Sequence, residues 1–450
     1  MYWANFLHIY QPPTQRPSIL KRVVEESYRR ILAELKRAPA AKLTLNIPGC
    51  LTELLAQYGY ADVICDIREL LEKGRIELTG TAKYHPLLPK MPAAEIVRQI
   101  LLDGETNRHY FGESYNPQGF FPPEAAYDRL LAEIVAGLGF KWILAEELSY
   151  KGKFGEAPRD RICKIANGLL IFFRERQASF RILSGQLGTV KLFEDHFAHR
   201  LDLDEYLLTA MDGETFGHHR PGMEKLLFEI YKSRRLKTVT ISELIRLFPK
   251  REAVETVPST WALMEKDLEK NAPFSRWDDP GNEIQKKQWE LTKLAIDSVN
   301  ISKFTTSSCH ARQLLDKALH SDQYWWASAR PWWSLEMIEA GANELREAVQ
   351  IVPDASAAVK KKARQLYYEI ITTGFSWQRS GMVEELSRRE DEEVRERTDE
   401  RLPKLPKTEV EKMMANIRGE MLAMAGKEEY ERAAQLRDRI RELGEYLSKE

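Results

Sequence analysis

The sequence predicts an α/β protein with parallel strands, followed by an α-helical region and a C-terminal helical hairpin. Three observations predict this. Up to about residue 250, short apolar runs alternate with amphipathic stretches, the pattern of strands covered by crossover helices in a barrel-like or open sheet. From about 255 to 375 the pattern is almost purely helical. Beyond the charge-rich "SRREDEEVRERTDERLPKLPK" (387–407), two amphipathic stretches are broken near Gly426, which most simply gives an antiparallel pair.

In order, "YWANFLHIY" reads as a strand and "SILKRVVEESYRRILAELKRA" as a helix; "KLTLNI" is a strand and "CLTELLAQY" a helix. "DVICDIRELLEKG" is helical and leads into the strand "RIELTGTA". "EIVRQILLDGETNRHYFG" is a helix before "GFFPPE", and "RLLAEIVAGLG" ends on a helix-stop glycine before the strand "KWILAEEL". "LLIFFRE" and "YLLTAMDG" are further strands, and "EKLLFEIYKSRRL" is a helix. These patterns divide the chain into an α/β region (1–254), a helical region (255–380), a charged linker (381–408) and the hairpin (409–450). In parallel α/β folds, chemistry belongs at the carboxyl ends of the strands.

Composition narrows the function classes. With 450 residues the chain can hold several domains, and a formal net charge of −1 gives no global attraction to nucleic acid or anionic membrane. Cys50, Cys65, Cys163 and Cys309 are scattered, with no CxxC pair. They suggest neither a disulfide framework nor a structural zinc site. "MYWANFLHIYQPP" lacks the charge and length of a secretory leader, and no apolar run approaches a membrane span. A reducing cytoplasm is the expectation.

Polar residues gather at the predicted strand ends. His8 and Gln11 follow the first strand, Glu77 and His85 lie around the third, and "GFFPPEAAYDRLL" delivers Glu124. Pro122 and Pro123 cannot continue a ladder, so Glu124 sits where the chain leaves its strand. "MDGETFGHH" places Asp212, Glu214, His218 and His219 after the late strand "YLLTAM". A single such residue is ordinarily a satisfied turn or core group; several at corresponding ends point to one site. Glu124 and Asp212, from different strands, can face each other over the opening. Glycoside hydrolysis needs this opposition, one carboxylate attacking the anomeric carbon and the other protonating the leaving oxygen. "SDQYWWASARPWW" (321–333) adds flat rings suited to pyranose faces, although some of them, Trp332 or Trp333 among them, are expected to be core packing. Trp261 and Trp277 are open to either role.

These residues resemble glycoside hydrolase family 57, the α-amylase, amylopullulanase, 4-α-glucanotransferase and branching-enzyme family. Five short motifs of that family have counterparts here in order over residues 1 to about 335. His8 with Gln11-Pro12 is similar to its His-Gln-Pro element, with Ile9-Tyr10 intervening; "GRIE" with Glu77 resembles its Gly-x-x-Glu element, and "YHPLLP" with His85 follows. "FPPE" matches the nucleophile motif, Phe121 standing where an aromatic is found. "MDGETFGHH" matches the acid/base motif, with His219 where many relatives have tryptophan, and "SDQYW" with Asp322 and Trp325 resembles the fifth.

The resemblance implies an incomplete (β/α)7 barrel as the catalytic domain (1–254), a following helical domain that completes the active site (255–380), and retaining double displacement on α-glucans or maltooligosaccharides, with no cofactor or metal. It implies Glu124 as nucleophile and Asp212 as acid/base. His8, Gln11, Glu77, His85, Phe121, Glu214, His219, Asp322 and Trp325 would bind substrate. "YERAAQLRDRIREL" (430–443) is similar to the UVR motif of excision-repair subunits and protease adaptors, which implies protein–protein contact or self-association through 409–450. Two other readings are a metal-dependent carbohydrate deacetylase, with Asp212, His218, His219 and His8 as ligands, and a catalytically inactive sugar-binding adaptor acting through the tail.

Overall fold

A computed structural model describes residues 1–302, 306–399, 405–426 and 428–448. Ten strands run in chain order: β1 (Tyr2–His8), β2 (Leu43–Asn46), β3 (Ile76–Leu78), β4 (Gly119–Phe120), β5 (Trp142–Glu146), β6 (Ile162–Lys164), β7 (Leu170–Arg174), β8 (Tyr206–Asp212), β9 (Lys237–Thr238) and β10 (Arg251–Ala253). Parallel pairing runs β3-β2-β1-β8 in one sheet and β4-β5-β7 in another. Gly80 joins them: its N–H donates to Gly119 O at 2.9 Å and its carbonyl accepts from Phe121 N at 2.9 Å. At the other side, no ladder joins β7 to β8 among the described residues; Glu175 N donates to Leu208 O across the seam at 2.7 Å. The result is a barrel of parallel strands closed along all but one seam, in agreement with the expected incomplete barrel.

The helices form where the apolar periodicity predicts. Gly49–Gln57, Ala61–Glu72, Ala93–Phe111 and Arg129–Gly137 cover the early strands. The first long helical stretch is interrupted: Pro17–Val23 and Arg29–Arg37 flank a π-helical turn, Val24–Tyr28. Such turns shift side chains out of helical register and often mark functional sites. Inside the barrel, Ala4, Phe6, Phe121, Trp142, Leu144, Phe172, Leu208 and Ala210 make one apolar plug.

Helices Glu283–Ile301, Thr306–Ala318, Leu335–Ile351 and Ala357–Ser380 share a core with β4, β5 and β7 and the helices outside them. This unit is pinned by Arg98 and Arg312, which clamp Asp316 and Glu95. The stretch read as a charged linker is helical over Met382–Asp399, while residues 400–404 lie outside the described residues. That helix is not wholly solvated, because Glu390 is buried against the guanidinium groups of Arg276 and Arg330. Hairpin helices Lys407–Ala425 and Tyr430–Ser448 enclose Val410, Met413, Ile417, Met424, Leu436 and Leu443. No helix among the described residues is long and apolar enough to cross a membrane. All four cysteines are free thiols.

Candidate active site

Strand parity builds the site. Side chains alternate between faces along a strand, so each strand that fills the plug hands its next inward position to the mouth. After Ala4 and Phe6 comes His8; after Leu208 and Ala210 comes Asp212; after Leu144, Glu146; and after Phe172, Arg174. Register places them level: His8 pairs with both Asn46 and Asp212, and Glu146 with Arg174. Glu146 and Arg174, both buried, form an ion pair at 2.6 Å, and Arg174 also donates to Ala210 O at 3.1 Å.

Glu124 enters from the turn after β4. It and Ala125 have φ of 62° and 47°, a left-handed backbone uncommon for residues with a Cβ, and His85 opposite has φ 57°. Three such residues at one mouth are the kind of strain that surrounding structure retains at working sites. Trp261 Nε1 donates to Glu124 Oε2 at 2.8 Å, and Ser321 Oγ donates to Oε1 at 3.1 Å. Burial, then the charges of Asp322 and Asp212, push the Glu124 carboxyl up to about 8, against the two hydrogen bonds. Asp212, half-buried, is pushed up to about 6 by burial, with Arg174 opposing. Its carboxylate takes no side-chain hydrogen bond among the described residues.

The remaining mouth residues interlock. His8 Nδ1 meets Asn46 Oδ1 at 2.7 Å, and its Nε2 lies 3.1 Å from His85 Nε2. His85 Nδ1 meets Ser321 Oγ at 3.0 Å, and Tyr10 stacks on the His85 ring at 4.0 Å. Burial drives both imidazoles down, His85 to about 4, so they are neutral at ordinary pH. Tyr10 O–H donates to Asp322 Oδ2 at 2.7 Å. His320, buried between Asp322 (3.2 Å) and Glu344 (3.5 Å), is raised to about 9 by these carboxylates against its burial. The resulting imidazolium holds Asp322 below the usual carboxylate range despite burial. Glu214 accepts from Tyr28 O–H, Tyr10 N and Gln11 Nε2, and burial plus the Asp212 charge push it up to about 7. Phe121 is buried beneath His8, ring centroids 5.2 Å apart.

Two expected substrate-binding residues, Glu77 and His219, stand apart. Glu77 pairs in register with Thr44, which pairs with Phe6, so it lies two residues below the mouth. At that level it accepts hydrogen bonds from Ser242 N, Ser242 Oγ and Thr44 Oγ1 inside the amino end of the barrel. The side chain that meets Asn46, level with His8, is instead Thr79, one residue past β3, which accepts from Asn46 Nδ2 at 2.9 Å. His219 is exposed on the loop after β8, beside His218, with no contact to Glu124 or Asp212. Trp325 is half-buried and tilts against Trp277 at 5.0 Å, in an aromatic cluster that Trp261 also joins. The histidines considered as metal ligands are also separated. His218 bonds Glu26, and among the described residues no three His, Cys, Asp or Glu side chains converge as a ligand set. Farther out, Trp333 stacks on Trp377 while Trp332 is half exposed.

Trp261, Ser321, His320, Tyr10, Tyr28 and Arg174 are members of the site that motif reading did not single out as such. Tyr10 lies between His8 and Gln11, next to the latter, and His320-Ser321 immediately precede Asp322, so adjacency was the available signal. Trp261 carries none, since its approach to Glu124 depends on the Tyr127–Ser259 bridge that runs the two segments side by side.

The profile of glycosyl hydrolase family 57 matches residues 5–257, more than half of the chain. The chain belongs to glycosyl hydrolase family 57. The UvrB/uvrC motif matches residues 411–446. An α-amylase of Pyrococcus horikoshii is 27% identical over 149 residues, 32% of this chain and 23% of that relative. The chain thus spans under a quarter of the length of that curated relative. Among solved structures, a GH57-type branching enzyme from Pyrococcus horikoshii has a TM-score of 0.65 at 17% identity, covering 83% of this chain and 94% of its own. A 4-α-glucanotransferase from Thermococcus litoralis has a TM-score of 0.59 at 17% identity, covering 77% of this chain and 58% of its own. At such identities the family barrel and its helical extension are shared as a fold.

Proposed function

We propose that this family 57 protein is a retaining hydrolase or transglycosidase of α-glucans, with Glu124 as nucleophile and Asp212 as acid/base. The supporting observation is the pair itself: two carboxyls from separate strands, both raised by burial, with the charge of Asp212 felt at Glu124. Both oxygens of Glu124 are held by donors, which orients the carboxylate and favours its ionised form. Asp212 is free to turn toward a leaving oxygen. In the first step Glu124 Oε bonds to the anomeric carbon while Asp212 gives its proton to the departing glycosidic oxygen. In the second, Asp212 takes a proton from water or an acceptor hydroxyl, which then displaces Glu124.

Burial raises both carboxyls, Glu124 the further of the two, whereas the first step needs Glu124 ionised and Asp212 protonated. Positive charge developing at the anomeric carbon stabilises the Glu124 carboxylate and so favours that arrangement. Asp322, ionised by His320, and Tyr10 are the polar groups offered to sugar hydroxyls. We read residues 255–380 as completing this site, since Trp261, Ser321 and Asp322 come from them.

Incubation with maltoheptaose tests the reading. Shorter oligomers mean hydrolysis, longer ones transfer, and NMR of the first anomer formed must show retention. A fluorinated glycosyl fluoride should label the peptide carrying Glu124. A label on Asp212 would exchange the two roles, and an inverted first product would sink the mechanism.

A further inference from the structure

β8 ends at Asp212, the loop that follows carries Glu214 and His218, and two bodies hold that loop. One is the π-helical turn Val24–Tyr28: Ser27 Oγ donates to Gly213 O at 3.0 Å, Tyr28 O–H donates to Glu214, and the Glu26 carboxylate bonds His218 Nδ1. Contact is so close at Gly217 (φ 111°) that a Cβ there would stand 2.0 Å from the Glu26 carbonyl oxygen. The other body is the C-terminal hairpin. Arg432, on its second helix and 5% exposed, sends Nη2 to the Gly217 carbonyl and Nη1 to Glu26 Oε2 at 3.5 Å. One guanidinium thus spans the loop and the turn that grips it.

The flanking contacts point the same way. Arg22 donates to Gln435 at 3.2 Å, and Arg30 bridges Glu224 (2.9 Å) and Glu420 (2.6 Å). Lys225 Nζ donates to Asn416 O at 2.8 Å, and Ile417 packs at Gly222. None of these bonds closes the hairpin on itself, whose own core is apolar. A hairpin that only stabilised the chain would need no buried guanidinium. Arg432 instead leaves Nε without a partner, commits Nη2 to the barrel loop, and shares Nη1 between Glu26 and, at 3.4 Å, Gln435 on its own helix.

We infer that Arg432 is a positioning residue: through Gly217 and Glu26 it fixes the loop that sets the Asp212 and Glu214 carboxylates in the mouth. The inference rests on the catalytic reading of Asp212 for its kinetic consequence, but its structural core, immobilisation of residues 213–222 by Arg432, stands independently.

The test compares full-length Arg432→Ala and Arg432→Lys with Arg441→Ala, whose side chain is largely exposed on the same helix and pairs only within it. Measured are kcat and KM on maltoheptaose and amide hydrogen exchange of residues 213–222. Arg432→Ala should lower kcat roughly 10- to 100-fold, the scale of an ångström misplacement of a reacting group, with KM within about twofold. Its loop should exchange faster, and Arg441→Ala should match the parent in every reading.

Lysine, a point donor rather than a fork, can hold Gly217 or Glu26 but not both, so Arg432→Lys should fall between. A folded Arg432→Ala protein with parental kcat and parental exchange overturns the inference. If the alanine variant does not fold, Arg432→Lys decides, and indistinguishability from arginine in both readings refutes the two-pronged grip. If the parent itself turns over no α-glucan, the catalytic reading fails, and the exchange data alone still decide whether Arg432 holds the loop.

Discussion

The two ends of the barrel both bury hydrogen-bonded carboxylates, but at the carboxyl end the charge of Asp212 is felt by two others. At the amino end, Glu77 is surrounded by local donors, Ser242 N, Ser242 Oγ and Thr44 Oγ1, with Trp142 Nε1 completing the Ser242 hydroxyl at 2.9 Å. Burial raises its pKa and those donors oppose the rise. At the carboxyl end, Glu124, Asp212 and Glu214 are raised by burial, and the charge of Asp212 adds to the rise at its two neighbours. A carboxylate that closes a barrel is satisfied by neutral hydrogen bonds. A set built for bond exchange is kept close enough for its members to disturb one another, which is why perturbed groups gather at sites.

The largest expected effect separates the ends outright. Glu124→Gln should cut kcat by more than about 10⁴-fold, the scale of losing a nucleophile. Asp212→Asn should cost about 10²- to 10⁴-fold through lost proton transfer. Steady-state kinetics on maltooligosaccharides check both, and near-parental rates in either variant would remove the contrast. Glu77→Ala, by comparison, should leave kcat within about twofold.

Next in size is Trp261→Phe. It deletes one hydrogen bond to a carboxylate, worth about 1.5–3 kcal/mol, and so should lower kcat roughly 10- to 100-fold. An unaffected kcat would mean Ser321 alone orients Glu124.

The pH dependence sharpens the electrostatic side. On the proposed mechanism, activity needs one proton on the pair, which titrates as a unit. Below about 6 both carboxyls are protonated and no nucleophile remains; above about 8 both are ionised and no acid remains. The kcat/KM profile should therefore be a bell between those limits. The same shift bears on stability. A carboxyl raised from 4.5 to about 8 contributes stability below pH 4.5 that is lost as pH rises through 8. Glutamine has nothing to ionise, so Glu124→Gln should melt above the parent at pH 9 and near it at pH 4.

The smallest effect belongs to the amino end. Glu77→Ala strands the Ser242 amide and the Thr44 hydroxyl and should cost about 1–3 kcal/mol in denaturant unfolding. A large kinetic defect in that variant, with stability intact, would return Glu77 to the site.

The alternation of strand and helix was legible because period 2 and period 3.6 are written in the apolar residues, and the last inward positions of β1 and β8 follow from it. Glu124 was legible because two prolines force the chain off its strand. Glu77 misled because it stands beside a strand-like run, whereas its level depends on pairing register with Thr44, which no local pattern encodes. Trp261 and His320 act from another part of the chain, and amphipathicity says that a helix has a partner without saying which. For the same reason the hairpin's periodicity revealed its core but not its seat on the barrel.

The grip on Gly217 comes from a residue 215 positions further along. During translation, both acids and the strands that bear them leave the ribosome well before Arg432 does. On the inference drawn above, a nascent barrel would hold its chemistry unaimed until the tail arrives. Clipping the tail from the finished protein would quiet the mouth without a cut in any strand.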